Sequence, residues 1–219
     1  MILSSTGPVI VTGTDTGVGK TIATAALAVV ARAAGKTVAV VKPVQTGDDD
    51  DAATIERLAE PDQVATLARF PDPMSPYAAA RHRGLPQLPL AEVVEFVAAL
   101  DKDLILIEGA GGLLVPMGTY SWTMAELCQQ LNAPAVVVVR AGLGSINHTA
   151  LTLEALRSRG ILSSVIIGSW PRVPGPVEQA NQIDLSDMSY GLAGIIPEGA
   201  GSLSPEEFRA RASGWIQPS

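Results

Sequence analysis

The 219-residue sequence predicts an α/β fold, a doubly wound and mainly parallel sheet flanked by helices. Three observations carry this. Runs of Val and Ile without polar alternation, such as residues 135–140 (AVVVVR), fit strands buried on both faces. These runs alternate with longer helical stretches, which implies right-handed crossovers between parallel strands. Only 4% of the chain is aromatic, so the core must come from Ala, Val, Leu and Ile.

Residues 8–12 (PVIVT) read as the first strand, and residues 21–34 as a nearly all-apolar helix ended by Gly35. Residues 37–41 (TVAVV) form a second strand, stopped by Lys42-Pro43. A short helix over 52–59 leads into a proline-punctuated region, 61–89, whose pattern assigns neither structure nor role. An amphipathic helix over 90–100 precedes a third strand, 103–107 (DLILI), with Glu108 at its end. Residues 121–131 are helical and 135–140 give the fourth strand. Ser145 caps a helix over 145–159 that Gly160 stops. A fifth strand (164–167), a helix (176–184), a sixth strand (192–196) and a last helix (205–212) complete the pattern. Repeats, low-complexity tracts and linkers are not seen, so residues 1–219 read as one domain.

Composition narrows the function classes. The net charge is −7 with no basic stripe, which argues against a nucleic-acid partner. The single cysteine, Cys128, excludes an internal disulfide and reads as a small buried hydrophobe. No signal-peptide pattern and no apolar run of roughly 20 residues occurs, so a cytoplasmic protein without membrane partners is expected.

The chemistry gathers at the carboxyl ends of strands, where such sheets bind ligands. Gly13-Thr14-Asp15-Thr16-Gly17-Val18-Gly19-Lys20-Thr21 lies between a strand and a helix, the context of a P-loop. Its glycines let backbone N–H groups turn around an anion, and the helix adds its dipole. Lys20 is placed for phosphates and the Thr21 hydroxyl for Mg²⁺. Five residues rather than four separate Gly13 from Gly19, so the loop is a variant. Glu108 opens Glu108-Gly109-Ala110-Gly111-Gly112, where an acid supplies a second metal contact. Lys42, at the second strand's end, is placed to neutralise charge developing in phosphoryl transfer. Of the run 48–51, Asp51 at the start of a helix is the expected metal ligand. Residues 142–148 (GLGSINH) enter a helix whose first N–H groups suit a carboxylate, with His148 one turn in as a structural hydrogen-bonding residue.

Together, VTGTDTGVGKT (11–21), KPVQTG (42–47), IEGAGGLLVP (107–116) and LGSINHTALTLEAL (143–156) resemble the dethiobiotin synthetase family, in order and over nearly the whole chain. The resemblance implies a P-loop ligase. It joins 7,8-diaminopelargonate and CO₂ into dethiobiotin with Mg²⁺ and ATP, or another nucleoside triphosphate, in biotin synthesis. It implies Lys42, Lys20 and Thr16 as catalytic residues and Thr21, Asp51 and Glu108 as metal ligands. The nucleotide falls to residues 14–21, Asp51, Glu108, Gly109, Ala110, Gly111, Gly168, Ser169, Pro197, Glu198 and Gly199. Thr16, Lys42, Thr46, Gly111 and Gly112 are assigned to substrate, and Gly144, Ser145 and Asn147 to its tail carboxylate across a homodimer interface. The chain departs from the family at Gly17, where some members carry Glu. It departs again at Gly168-Ser169, where an Asn-Asp pair often reads adenine.

Two rivals are weaker. A nucleotide switch or partitioning ATPase of the same fold usually carries a lysine early in the loop, where this chain has Thr14-Asp15-Thr16. An amidase-like ligase generally adds a glutaminase domain with a nucleophilic cysteine.

Overall fold

The structure, a computed structural model, describes residues 6–217. Seven strands form one sheet: β1 (Gly7–Gly13), β2 (Val38–Thr46), β3 (Gln63–Phe70), β4 (Leu104–Glu108), β5 (Ala135–Val139), β6 (Ser163–Trp170) and β7 (Leu192–Pro197). Their order is β3-β2-β4-β1-β5-β6-β7, with every neighbouring pair parallel.

Alternate strand residues serve opposite faces, as the two-residue period of a strand requires. Val9, Val11, Val136 and Val138 pack beneath α1 (Lys20–Ala33), α2 (Asp51–Ala59) and α8 (Pro205–Ala212). Ile10, Val137 and Val139 meet α3 (Pro76–Arg83), α4 (Leu90–Ala98), α5 (Met124–Leu131), α6 (Ser145–Arg157) and α7 (Pro176–Ser189). Cys128 sits in this second layer at 1% exposure. Among the described residues, no helix is long and apolar enough to cross a membrane.

Three expectations are corrected. Pro43 does not stop β2, which runs on to Thr46. The β2–β4 pairing ends at Val41↔Ile107, so Pro43 lies where only β3 remains a neighbour, and its missing N–H leaves the Lys42↔Thr66 and Val44↔Ala68 pairs intact. The region 61–89 holds an edge strand and a helix, β3 and α3, so the sheet has seven strands and not six. The helix read over 121–131 begins at Met124. Tyr120 and Ser121 sit at φ 60 and 57, outside the helical region, and Thr123 with Glu126 forms a capping box that sets the start.

β1 lies between β4 and β5, with α1 leaving β1 on one face and α6 leaving β5 on the other. The crevice at the carboxyl end of β1 is therefore the topological switch point.

Candidate active site

The phosphate loop leaves β1 at Gly13 and enters α1 at Lys20. Gly17 and Gly19 sit at φ 71 and 98, left-handed values that cost a glycine little. The loop is wedged between two strand ends. A Cβ on Gly112 would touch the Thr14 carbonyl oxygen at 3.4 Å, and one on Gly168 would lie 2.0 Å from that of Val18. The glycine at 168 thus has a steric cause: β6 runs against the loop backbone and leaves no room for a side chain.

Beneath the loop lies a buried polar cluster. Lys42 Nζ is 2.8 Å from Glu108 Oε1 and 2.5 Å from Asp51 Oδ2, and donates to the Gly109 carbonyl at 3.2 Å. Thr21 Oγ1 lies 2.9 Å from Asp51 Oδ1 and 3.0 Å from Glu108 Oε1. One hydroxyl proton cannot satisfy both carboxylates, and Glu108 Oε2, fully buried, takes no hydrogen bond among the described residues. Oxygens gathered with spare lone pairs fit a hard cation. Two carboxylates and a hydroxyl match Mg²⁺, which keeps its other positions for phosphate oxygens and water.

The lysines differ electrostatically. Burial lowers the pKa of Lys20 to about 8, and the neighbouring Lys42 ammonium pushes the same way against Glu108, Asp51 and Asp15. Burial would lower Lys42 too, but the carboxylates of Glu108 and Asp51 hold it above its ordinary value. Asp51 is the reciprocal case: burial would raise it, yet Lys42 and the Thr21 hydrogen bond keep it below the usual carboxylate value.

A cleft of about 770 Å³ opens over this cluster. Thr16, Gly17, Thr46, Ala110 and Gly111 line it beside the cluster, and residues 73–76 form part of its wall. The rest of the acidic run divides its work. Asp48 and Asp49 line the cleft, while Asp50 caps α2 through the Ala53 N–H and pairs with Arg69. A second cavity of about 250 Å³ is lined by Gly17, Val18, Arg140, Ser169 and Glu198 among others. Pro197 closes β7 next to it, and Gly199 follows at φ 80. Gly144, Ser145 and Asn147, at the start of α6, line neither cavity of their own chain.

A family profile described as an AAA domain matches residues 8–201. Over 215 residues the chain is 49% identical to the ATP-dependent dethiobiotin synthetase BioD of Rhodococcus jostii (strain RHA1), covering 94% of this chain and 93% of that protein. The chain belongs to the dethiobiotin synthetase family. Its counterpart in Rhodococcus erythropolis (strain PR4) is 50% identical over 216 residues, covering 94% of this chain and 95% of that one. Among solved structures, the MinC:MinD cell division protein complex of Aquifex aeolicus matches at a TM-score of 0.52. That match covers 97% of this chain and 98% of the other at 16% identity, and shows a shared fold alone.

Within this dethiobiotin synthetase-family site, sequence reading missed several residues. Gln45 is buried and accepts the Asp51 N–H through Oε1 at 3.3 Å, which orients the first residue of α2. Asn181 of α7 donates to the carbonyls of Ala141 and Gly142 at 2.8 and 2.9 Å and reaches Ser145 Oγ at 3.4 Å, tying down the turn before α6. Arg140 grips the phosphate loop from outside. The cleft wall at 73–76 lay in the unassigned region. Its one sequence signal is Gly47, where a Cβ would touch the Pro73 Cβ at 3.4 Å.

Proposed function

We propose that the chain is an ATP-dependent dethiobiotin synthetase, acting as one domain in the cytoplasm. On this reading it converts 7,8-diaminopelargonate and CO₂ to dethiobiotin while cleaving a nucleoside triphosphate. The observation that carries the reading is Lys42, buried between Asp51 and Glu108 beside Lys20 at the floor of the cleft. Two cations there suit a reaction in which a carbamate and a nucleoside triphosphate, both anionic, must be brought together, and the family membership names the reaction.

A substrate amine attacks CO₂, loses its proton and becomes a carbamate. A carbamate oxygen then attacks the γ-phosphorus and the nucleoside diphosphate leaves, giving a carbamic–phosphoric anhydride. The second amine attacks the carbonyl carbon, phosphate departs and the ring closes. Lys42, whose ammonium is held between Asp51 and Glu108, is placed to stabilise the carbamate and the transferring phosphoryl group. Lys20 and the loop N–H groups hold the phosphates. Thr16 and Thr46, with Gly111 beside Thr16, orient the amines within the cleft, and Gly112, assigned to the same substrate, packs against the loop backbone at Thr14. Thr21, Asp51 and Glu108 would hold Mg²⁺, which supplies charge neutralisation at the phosphates.

The tail carboxylate is assigned to the start of α6 in a second copy, through Gly144, Ser145 and Asn147. Leu143 and Leu151, exposed at 91% and 57% beside this turn, give the apolar surface a homodimer would cover. A switch-type ATPase fits less well, because Thr14-Asp15-Thr16 offers no lysine to reach across a dimer.

The test is phosphate release with Mg²⁺ and bicarbonate, with and without the diamine, using ATP, CTP and GTP. Release that requires the diamine and yields dethiobiotin by mass supports the reading, and release indifferent to it overturns it. Gly168 presents no amide to a base edge, so the rates for the three bases should lie within about 100-fold of one another.

A further inference from the structure

Arg140 follows β5 directly, and its Nη2 lies 3.1 Å from Asp15 Oδ2 and 2.9 Å from the Thr16 carbonyl oxygen, to which it donates. The loop uses Asp15 twice more. Its Oδ1 accepts the Thr16 N–H at 2.7 Å, and its carbonyl accepts from Lys20 Nζ at 2.9 Å. One guanidinium therefore grips the stretch of loop that aims both Lys20 and Thr16 into the cleft.

We propose that Arg140 is a positioning residue for the phosphate loop and joins the base cavity to the phosphate site. This rests on the nucleotide reading given above. Arg140 lines the smaller cavity with Gly17 and Ser169, and among the described residues its Nε and Nη1 take no hydrogen bond. On the nucleotide reading, the cavity that Arg140 lines is where a base or ribose acceptor would lie. The acids of that wall accept from backbone instead of from Arg140, Glu178 Oε2 from the Gly175 N–H at 2.8 Å and Glu198 Oε2 from the Arg172 N–H at 3.3 Å. A purely stabilising role fits poorly, because the two side chains are 56% and 50% exposed and pairs so exposed contribute little to folding. Bonding two acceptors from one end while keeping further donors free is a property of the arginine fork that lysine reproduces only in part.

The test compares Arg140→Ala, Arg140→Lys, Asp15→Asn and the double variant by calorimetric titration with Mg-ADP, steady-state kinetics and thermal melting. Arg140→Ala should raise the nucleotide Kd and KM about tenfold, as expected for losing a charge-assisted bond, while kcat falls less and the melting temperature holds. Arg140→Lys should recover part of the loss. Adding Arg140→Ala to Asp15→Asn should cost less than it does alone, because the two share one interaction. A nucleotide Kd within about twofold of the unmodified protein would overturn the proposal. So would a fall in melting temperature that lysine does not repair. Diamine-independent turnover of the unmodified protein would sink the functional reading instead, and the Kd comparison would still stand.

Discussion

Lys42 and Glu108 form an ion pair at 2.8 Å with exposures of 3% and 0%, and Asp51 contacts the same ammonium at 2.5 Å. Burying these charges has a desolvation cost that only mutual pairing offsets. A fold under no other demand gains little from such a cluster. Its place at the switch point of the sheet, under the phosphate loop, is what supports the proposed role in handling ligand charge.

Lys42→Ala should lower kcat by at least about 100-fold while nucleotide affinity, which the proposed reading gives to Lys20 and the loop, changes much less. The stranded Glu108 and Asp51 carboxylates should also depress the melting temperature, and Mg²⁺ should restore part of it. Steady-state kinetics beside a nucleotide titration check the split. Near-unmodified turnover would remove Lys42 from the mechanism.

Thr21→Val keeps the shape of the side chain but deletes the oxygen 2.9 Å from Asp51 and 3.0 Å from Glu108. Affinity for Mg-nucleotide should weaken about tenfold or more, the loss expected for a hydrogen-bonding group among charged partners. Metal-free nucleotide should be bound almost as before. An unchanged Mg²⁺ dependence in calorimetry would show that this oxygen cluster holds no cation.

How legible the site was follows from what each residue does. The strand–loop–helix passage from β1 to α1 was readable because glycines at fixed spacing are a local demand of backbone geometry. Asp51 and Glu108 were readable because one starts a helix and the other ends a strand, whereas Lys42 was singled out on a strand end that Pro43 only seemed to mark, since it lies within β2. Arg140, Gln45 and Asn181 were not, since they act on backbone or side-chain groups up to 125 positions away and leave no periodic trace. The edge strand β3 was lost for a similar reason: residues 64–68 are only partly buried, and Ala65, Thr66 and Ala68 break the apolar run that marked its neighbours. Pro43 misled because a strand paired on one side tolerates a missing N–H that a central strand would not.

Gly168→Ala tests the wedge between β6 and the phosphate loop. The new methyl would stand 2.0 Å from the Val18 carbonyl oxygen and 2.6 Å from Val138 Cγ1, so the loop or the strand must move. A stability loss of about 1–3 kcal/mol is expected, with a raised nucleotide KM because Val18 and Gly19 are displaced. Thermal melts and ATP titrations that both match the unmodified protein would show that the loop is not seated by this contact.

Cys128 supplies a prediction about reactivity and pH. It is 1% exposed in α5, and burial in apolar surroundings raises its pKa to about 12. The thiolate is the reactive form, so an aromatic disulfide reagent at mildly alkaline pH should leave the native protein unlabelled and titrate one thiol per chain after denaturation. The same shift has a sign in stability. Between pH 9 and about 12 the unfolded thiol loses its proton while the folded one keeps it, so the contribution of Cys128 is full below pH 9 and declines as pH rises. Cys128→Ala should flatten that part of the stability–pH curve, and rapid native labelling would show that α5 opens far more readily than its packing implies.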